Sequence, residues 1–285
     1  MHKFLDELGA LSGPLVVAAV IAATTLIAPA MAWLAVPGAV AIAILVYLQI
    51  RVPDTSVFGE PDTPASTADV TTAPPPSPQG RGMARAAQRW WGETLGVGLP
   101  PRFFLFAACA ALATGGLVTF GVISFHLVTA AVLPLAAVPV LYAAGQGASA
   151  LAALATGHGY DRWGARVLYV LPVLVTLVPL LAFTRSAWLA VLGVLAWGAA
   201  NGLQDSTVKA LVADLVGKER RATAYGVFAA IQGGAAIGGG ALAGGLYVTS
   251  LPLLVAIIAA SQVGTALLLH RTLDRRRVRA DSAAH

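Results

Sequence analysis

Long apolar runs separated by short polar connections dominate the chain. Runs of about 18 to 25 residues are long enough for a helix to cross a hydrocarbon core of roughly 30 Å. The pattern predicts eight such helices, over residues 8–27, 31–50, 103–126, 131–156, 167–183, 187–208, 226–248 and 251–270. We therefore predict an all-α integral membrane protein with about eight transmembrane helices.

The composition agrees with this prediction. Of the 285 residues, 58% are hydrophobic and only 11% are charged, which is far from the soluble norm. The first run lacks a basic flank and an A-x-A cleavage site, so a signal peptide is a poor interpretation of it. Cys109 is the single cysteine and lies inside a predicted span, which leaves no disulfide framework and no cysteine-based metal site.

The placement of Lys and Arg predicts the orientation, because cytoplasmic loops collect these residues. With the N-terminus inside, only Arg185 among the basic loop residues falls on the outer side. We expect a multi-pass protein with both termini in the cytoplasm. The net charge of +5 then serves membrane orientation, and we expect no nucleic-acid partner.

A segment rich in Pro, Thr, Ser and Ala divides the chain. Residues 52–100 are predicted to be a flexible cytoplasmic linker, and residues 83–95 within it suit a short helix at the membrane surface or, less well, a partner-binding motif. The linker separates a two-helix group, residues 1–51, from a six-helix group, residues 101–271. A basic cytoplasmic tail follows at 272–285. The first and last helix pairs resemble one another weakly, and parallel repeats of helix groups are typical of secondary carriers.

The connection between the fourth and fifth predicted helices reads GHGYDRWGAR, from Gly157 to Arg166. It resembles the G-x-x-x-D-R-x-G-R-R/K loop of the major facilitator superfamily, which joins the second and third helices of a six-helix half. Its glycines permit tight turns, and Asp161 can cap a helix N-terminus. Ala165 replaces a usual basic residue, and an ordinary positive-inside turn is the alternative. The resemblance implies a cytoplasmic gate formed by Gly157, Asp161, Arg162, Gly164 and Arg166.

Two further stretches carry the same resemblance. Residues 219–226, ERRATAYG, are similar to the E-R-R-x-x-A-x-G stretch before the penultimate helix of bacterial facilitators. Gly9, Gly13 and Pro14 match the G-x-x-x-G-P motif of the family's fifth helix, although its usual Gly-Gly continuation is absent. The resemblance implies helices five to twelve of a twelve-helix carrier, so that the six-helix C-terminal bundle is joined by two helices of the N-terminal bundle and the first four helices are missing.

Polar groups within the spans are functional candidates because they are costly in lipid. Asp205 could couple a proton or contact a solute, or it could pair with Lys209 four residues on. His126 could titrate near neutral pH, or it could be satisfied at the membrane interface. Amide side chains could line a cavity or bond to neighbouring helices. The candidate substrate or coupling residues are Asp205, Gln204, Asn201, Gln146 and His126.

Small residues in the spans predict helix kinks and close helix packing. A phosphate loop is a poor interpretation of the Gly-rich penultimate helix, because no Lys-Ser or Lys-Thr follows it. The residues predicted to serve in kinks and packing are Gly9, Gly13, Pro14, Gly234, Gly238, Gly240 and Gly244.

The function expected from these features is secondary active transport of a small solute by alternating access, with a proton as a candidate coupling ion. No nucleophile with a base, metal cluster or nucleotide loop is visible, so we expect neither an enzyme nor a cofactor. Abundant Arg and Ala with little Lys suggest a bacterial cytoplasmic membrane. The alternative is a truncated or non-transporting membrane protein, which either has an assembly or scaffold role or is an inactive fragment. Two helices of the first bundle make an incomplete wall, so we expect that this chain alone does not transport.

Overall fold

The computed structural model describes residues 2–24, 27–51, 98–208, 211–212, 215–217 and 220–283. Over these ranges the chain is helical and contains no strand. The helices are α1 His2–Thr24, α2 Ile27–Arg51, α3 Pro101–Gly116, α4 Phe120–Thr129, α5 Ala137–Trp163, α6 Val170–Ala182, α7 Ala187–Leu203, α8 Arg221–Thr249 and α9 Leu251–Ala283. The 3₁₀ turn Gly164–Tyr169 joins α5 to α6, and the π-helical turn Gln204–Val208 extends α7.

The predicted membrane class is confirmed. Six described segments are long and apolar enough to cross a bilayer, and Ser12–Thr24 is a shorter apolar helix. One of the six, Ala137–Ala182, has 46 residues and contains both α5 and α6. Counting that segment as two crossings and Ser12–Thr24 as one more gives eight, the predicted number of spans. Large apolar side chains such as Leu154 and Trp188 are 74% and 82% exposed, as expected for surfaces that face lipid.

The prediction of one continuous helix over residues 103–126 is wrong, because two helices, α3 and α4, cover this span. Helix α3 ends at Gly116, and Leu117 and Thr119 adopt extended backbone angles before α4 begins at Phe120. Glycine disfavours a helix interior, and Gly115 and Gly116 end α3. The chain therefore carries a helix break inside an apolar span.

The packing centres on α3, α5 and α7. Helix α5 packs along α7, α6 packs on α7, and α3 packs against both α8 and α9. Helix α1 packs on α5 and α2 packs on α1. The interior is built from side chains such as Phe103, Ile123, Val194, Leu254 and Leu269, each at most 2% exposed.

Helix α9 runs from Leu251 to Ala283, so residues 272–283 of the predicted tail continue the last helix. Most of the predicted linker, residues 52–97 with the predicted surface helix at 83–95, lies outside the described residues.

Candidate functional site

Three polar side chains from three separate parts of the bundle meet inside it. Thr114 lies on α3, Gln204 begins the π-helical turn after α7, and Gln232 lies on α8. The Thr114 hydroxyl donates to Gln204 Oε1 at 3.0 Å, and Gln232 Nε2 donates to Thr114 Oγ1 at 3.0 Å. Gln232 Nε2 also lies 3.5 Å from Gln204 Oε1. We call Thr114, Gln204 and Gln232 the polar seam.

The direction of these hydrogen bonds leaves one donor unused. Gln232 gives an N–H to the Thr114 oxygen, so the threonine proton points at Gln204 and the Gln204 oxygen accepts it. Among the described residues the amide nitrogen of Gln204 then has no hydrogen-bond partner, although Gln204 is only 8% exposed. A buried amide donor without an acceptor costs about 1–3 kcal/mol. The seam therefore offers a donor that an acceptor group could satisfy.

Local backbone irregularities lie on both sides of the seam. Thr114 occupies the last turn of α3, just before the helix break at 117–119. Gln204 is the first residue of the π-helical turn Gln204–Val208, and π-helical turns are rare and concentrate at functional sites. Both irregularities let a helix change direction or register without unfolding.

Two other predicted candidates lie near the seam but do not hydrogen-bond to it. Asn201 is one turn before Gln204 on α7, is partly exposed, and donates Nδ2 to the Trp197 carbonyl at 2.9 Å. Gln146 is partly exposed on α5, beside Gly145, which packs against Gly198 of α7. Gln146 therefore stands at the level of Asn201. Their predicted role in lining a cavity stays a prediction.

Asp205 follows Gln204 but takes no part in the hydrogen bonds of the seam. Its side chain is exposed, unlike that of Gln204. The predicted pairing with Lys209 lies outside the described residues. A coupling role for Asp205 stays a prediction.

His126 lies near the end of α4, twelve residues beyond Thr114, and the structure does not bring it to the seam. Its Nδ1 is 2.9 Å from the Tyr247 hydroxyl and its Nε2 is 3.3 Å from the Thr184 carbonyl oxygen. Since a carbonyl only accepts, Nε2 carries a proton and donates it to the Thr184 oxygen, while Nδ1 hydrogen-bonds to the tyrosine hydroxyl. Both ring nitrogens are thus satisfied, as in the alternative of a structural histidine.

The predicted gate residues fall at the end of α5 and the turn after it. Gly157, Asp161 and Arg162 lie within α5, which continues to Trp163, so the expectation of a backbone turn at Gly157 is wrong. The turn occurs at Gly164, whose φ of 62° suits a residue without Cβ. Arg162 lies over the Trp163 ring at 5.8 Å, and Arg166 lies in the 3₁₀ turn. The gating role of this group stays a prediction.

The glycines that pack closely are mostly not those predicted. A Cβ on Gly239 would collide with the Gly115 carbonyl oxygen, and one on Gly240 would lie 3.5 Å from the Thr119 methyl group. Gly13, Gly234, Gly238 and Gly244 meet no atom of the described residues within 4 Å of such a Cβ. Pro14 lies within α1, and the surroundings of Gly9 are outside the described part. Packing at the open positions stays a prediction.

Sequence reasoning included neither Thr114 nor Gln232 among the candidate site residues. The available signal was that Thr114 is a polar residue next to the pair Gly115-Gly116 inside an apolar span. Within the described residues no group of three or more His, Cys, Asp or Glu could hold a metal ion.

The fold and the seam define a multi-pass helical membrane protein with a partly buried polar cluster between its helices. The family model of the Major Facilitator Superfamily matches residues 4–240 and also 135–284. The chain belongs to this superfamily, which is made up of transporters.

Three curated relatives are uncharacterized proteins, one of Mycobacterium bovis and two of Mycobacterium tuberculosis strains. Each is 44% identical to the chain over 264 residues, covering 92% of the chain and 59% of the relative. The chain thus spans less than two thirds of the length of these relatives. No solved structure matches the chain.

Proposed function

We propose that this chain forms the C-terminal bundle and part of the opposing wall of a secondary transporter that moves a small solute by alternating access across a bacterial cytoplasmic membrane. The polar seam is the part of the bundle that contacts the solute. The observation that supports this proposal most directly is the unpartnered, buried amide nitrogen of Gln204.

The seam has the properties that a transport site needs. It joins α3, the end of α7 and α8, so a solute bound there contacts three helices at once. Hydrogen bonds between membrane helices are each worth only about 1 kcal/mol, so they can exchange for bonds to a solute at little cost. The helix break and the π-helical turn allow the backbone near the seam to adjust.

Orientation and coupling belong to the same proposal. The distribution of basic residues supports cytoplasmic termini, and the turn at Gly164 with Asp161, Arg162 and Arg166 then lies on the cytoplasmic side as a gate. Asp205 is the candidate proton carrier because its carboxylate is exposed beside Gln204.

The experiment is an accessibility assay at Asn201. The substitution N201C is made in a C109A background, because Cys109 is the only native cysteine. The chain is expressed with the part of the M. tuberculosis relative that the alignment does not cover, and a membrane-impermeant maleimide is applied to right-side-out and inside-out vesicles. Alternating access predicts labelling from both sides. Labelling in only one of the two vesicle orientations would contradict the proposal.

The same assay with the chain alone tests the expectation that it does not transport. Without the additional segment we expect the labelling rate of N201C from one side of the membrane to be independent of the rate from the other side. A change in one rate then leaves the other rate unchanged. If the two labelling rates change together in the chain alone, the chain is sufficient for alternating access.

A further inference from the structure

We infer that Gln262 of α9 is a positioning residue for the polar seam, because its amide holds the last turn of α3 and this turn carries Thr114. This role rests on the proposed function, since Gln262 aligns the seam and does not itself contact the solute. The hydrogen bonds of Gln262, its burial and its packing against Gly116 support the assignment.

The last turn of α3 is weak by its own composition. It ends in Gly115 and Gly116, and glycine disfavours a helix relative to alanine. Leu117 then leaves the helix in an extended conformation, so no further helical turn supports this end. Thr114 lies in the same turn and gives the seam its hydroxyl group. The direction of that hydroxyl group therefore depends on contacts from outside α3.

Two helices contact this turn, one at each glycine. A Cβ on Gly115 would lie 3.2 Å from the Ala235 carbonyl oxygen of α8, and a Cβ on Gly116 would collide with Gln262 Nε2 of α9. Any side chain at position 116 would displace the Gln262 amide, because that amide is the flexible end of a long side chain. The contact with α9 is also separate from the seam, which joins α3, the end of α7 and α8.

Gln262 uses both hydrogens of its amide nitrogen. Nε2 donates to the Leu112 carbonyl oxygen at 3.2 Å and to Ser261 Oγ at 3.1 Å. The Ser261 hydroxyl donates its own proton to the Ile258 carbonyl oxygen at 2.8 Å, so Ser261 Oγ can accept. In an α-helix the carbonyl of one residue belongs to the turn that closes four residues later, which for Leu112 is the turn that ends at Gly116. Gln262 therefore holds this turn from the side.

Gln262 is deeply buried, although the other end of its amide is unpaired. It is 2% exposed, and among the described residues its Oε1 has no hydrogen-bond partner. A buried acceptor without a donor is unfavourable, and an apolar side chain would avoid that cost. The amide cannot turn over to relieve it, because Oε1 would then face the Leu112 carbonyl oxygen, which only accepts. The two N–H groups must therefore offset the unpaired oxygen.

The test is hydrogen–deuterium exchange of the purified full chain in detergent, measured by mass spectrometry on peptides that cover residues 103–111 and 112–119. In Q262L we expect exchange over 112–119 to be about tenfold faster, the factor that corresponds to one lost hydrogen bond, and exchange over 103–111 to be unchanged. T265V is the matched control. Thr265 is also buried on α9, at 1% exposed, but its hydroxyl donates to the Ser261 carbonyl oxygen of its own helix.

Three results of this experiment would overturn the role of Gln262. The first is unchanged exchange over 112–119 in Q262L. The second is an equal increase in T265V, which would mean that any lost polar group on α9 has the same effect. The third is an equal increase in both peptides of Q262L, which would indicate a general loss of structure.

The variants G116A and Q262A test the contact between the two residues directly. G116A should speed exchange over 112–119, because the added Cβ displaces the Gln262 amide from Leu112. In Q262A that amide is absent, so the further change G116A should have no effect or should slow exchange, since alanine favours the helix. Equal effects of G116A in the two backgrounds would contradict the assignment.

A second pair of variants tests whether Gln262 acts on the seam. If Q262L already displaces Thr114, then T114V should lower the melting temperature less in Q262L than in the otherwise unchanged chain. T114V should lower it equally with and without T265V. Equal decreases with and without Q262L would overturn the positioning of Thr114.

These measurements need neither a solute nor transport, so the two proposals can fail separately. Labelling of N201C in both vesicle orientations, with unchanged exchange in Q262L, overturns the role of Gln262 alone. Labelling in only one orientation, with faster exchange over 112–119 in Q262L, overturns the transport proposal and supports the contact of Gln262 with α3.

Discussion

Helix α7 packs in two very different ways along its length. Over Gly198 and Gly202 it lies backbone to backbone against α5, where a Cβ on either glycine would collide with the carbonyl oxygens of Gly145 and Ser149. A few residues later, at Gln204, it contacts α3 and α8 through two side-chain hydrogen bonds, from Thr114 and from Gln232.

The difference separates a fixed interface from one that can change. Backbone atoms in contact cannot move closer or rotate without a collision, so α5 and α7 behave as one unit. Hydrogen bonds between side chains can break and form again with water or a solute at about 1 kcal/mol each. We expect motion at the polar seam and rigidity at the glycine contact.

The largest effect is expected for G198L. The leucine side chain has no space against the Gly145 backbone, and overpacking costs about 3 kcal/mol or more when the neighbour is backbone. The measurement is the melting temperature and the monodisperse fraction after detergent extraction. G238L is the matched control, because no atom lies within 4 Å of a Cβ at that glycine. Similar melting temperatures for the two variants would show that the α5–α7 contact is not tight.

A moderate effect is expected for T114V. The change removes the hydroxyl that links Gln204 and Gln232, and should lower stability by about 1–2 kcal/mol while keeping the shape of the side chain. T176V is the control, since the Thr176 hydroxyl bonds only within its own helix, to the Pro172 carbonyl. Thermal denaturation of both variants provides the comparison, and an equal loss in T176V would remove any special role of the seam.

A smaller effect is expected for H126F, near the C-terminal end of α4. Phenylalanine can keep the ring contacts with Phe183 and Tyr247 but loses both hydrogen bonds, so we expect a loss of about 1 kcal/mol. H126A should lose more, because it removes the ring contacts too. If labelling of N201C from either side changes in H126F, the histidine has more than a structural role.

The smallest effect is expected for G238A. A Cβ at this position meets open space, and alanine favours the helix over glycine by about 1 kcal/mol at most. The melting temperature should therefore stay the same or rise slightly. A clear decrease, with the additional segment of the relative present, would support the predicted close packing at Gly234, Gly238 and Gly244.

The sequence was sufficient to predict the class, because apolar runs of this length have few alternatives to membrane helices. It also identified Gln204 as a polar residue in a span. It could not show that Gln204 bonds to Thr114, ninety residues earlier, because that contact depends on how α3 and α7 cross. Nor could spacing distinguish Gly239, which contacts Gly115, from Gly238 beside it, since a rotation of α8 by one residue exchanges their roles.

We expect the polar seam to be the part of the bundle that rearranges during transport. The most direct measurement compares the rates at which N201C is labelled from the two sides in T114V and T176V, with the additional segment present. We expect T114V to change the two rates in opposite directions, as two mutually exclusive states require, and T176V to change neither. Rates that are unchanged in T114V, or that rise together on both sides, would contradict it.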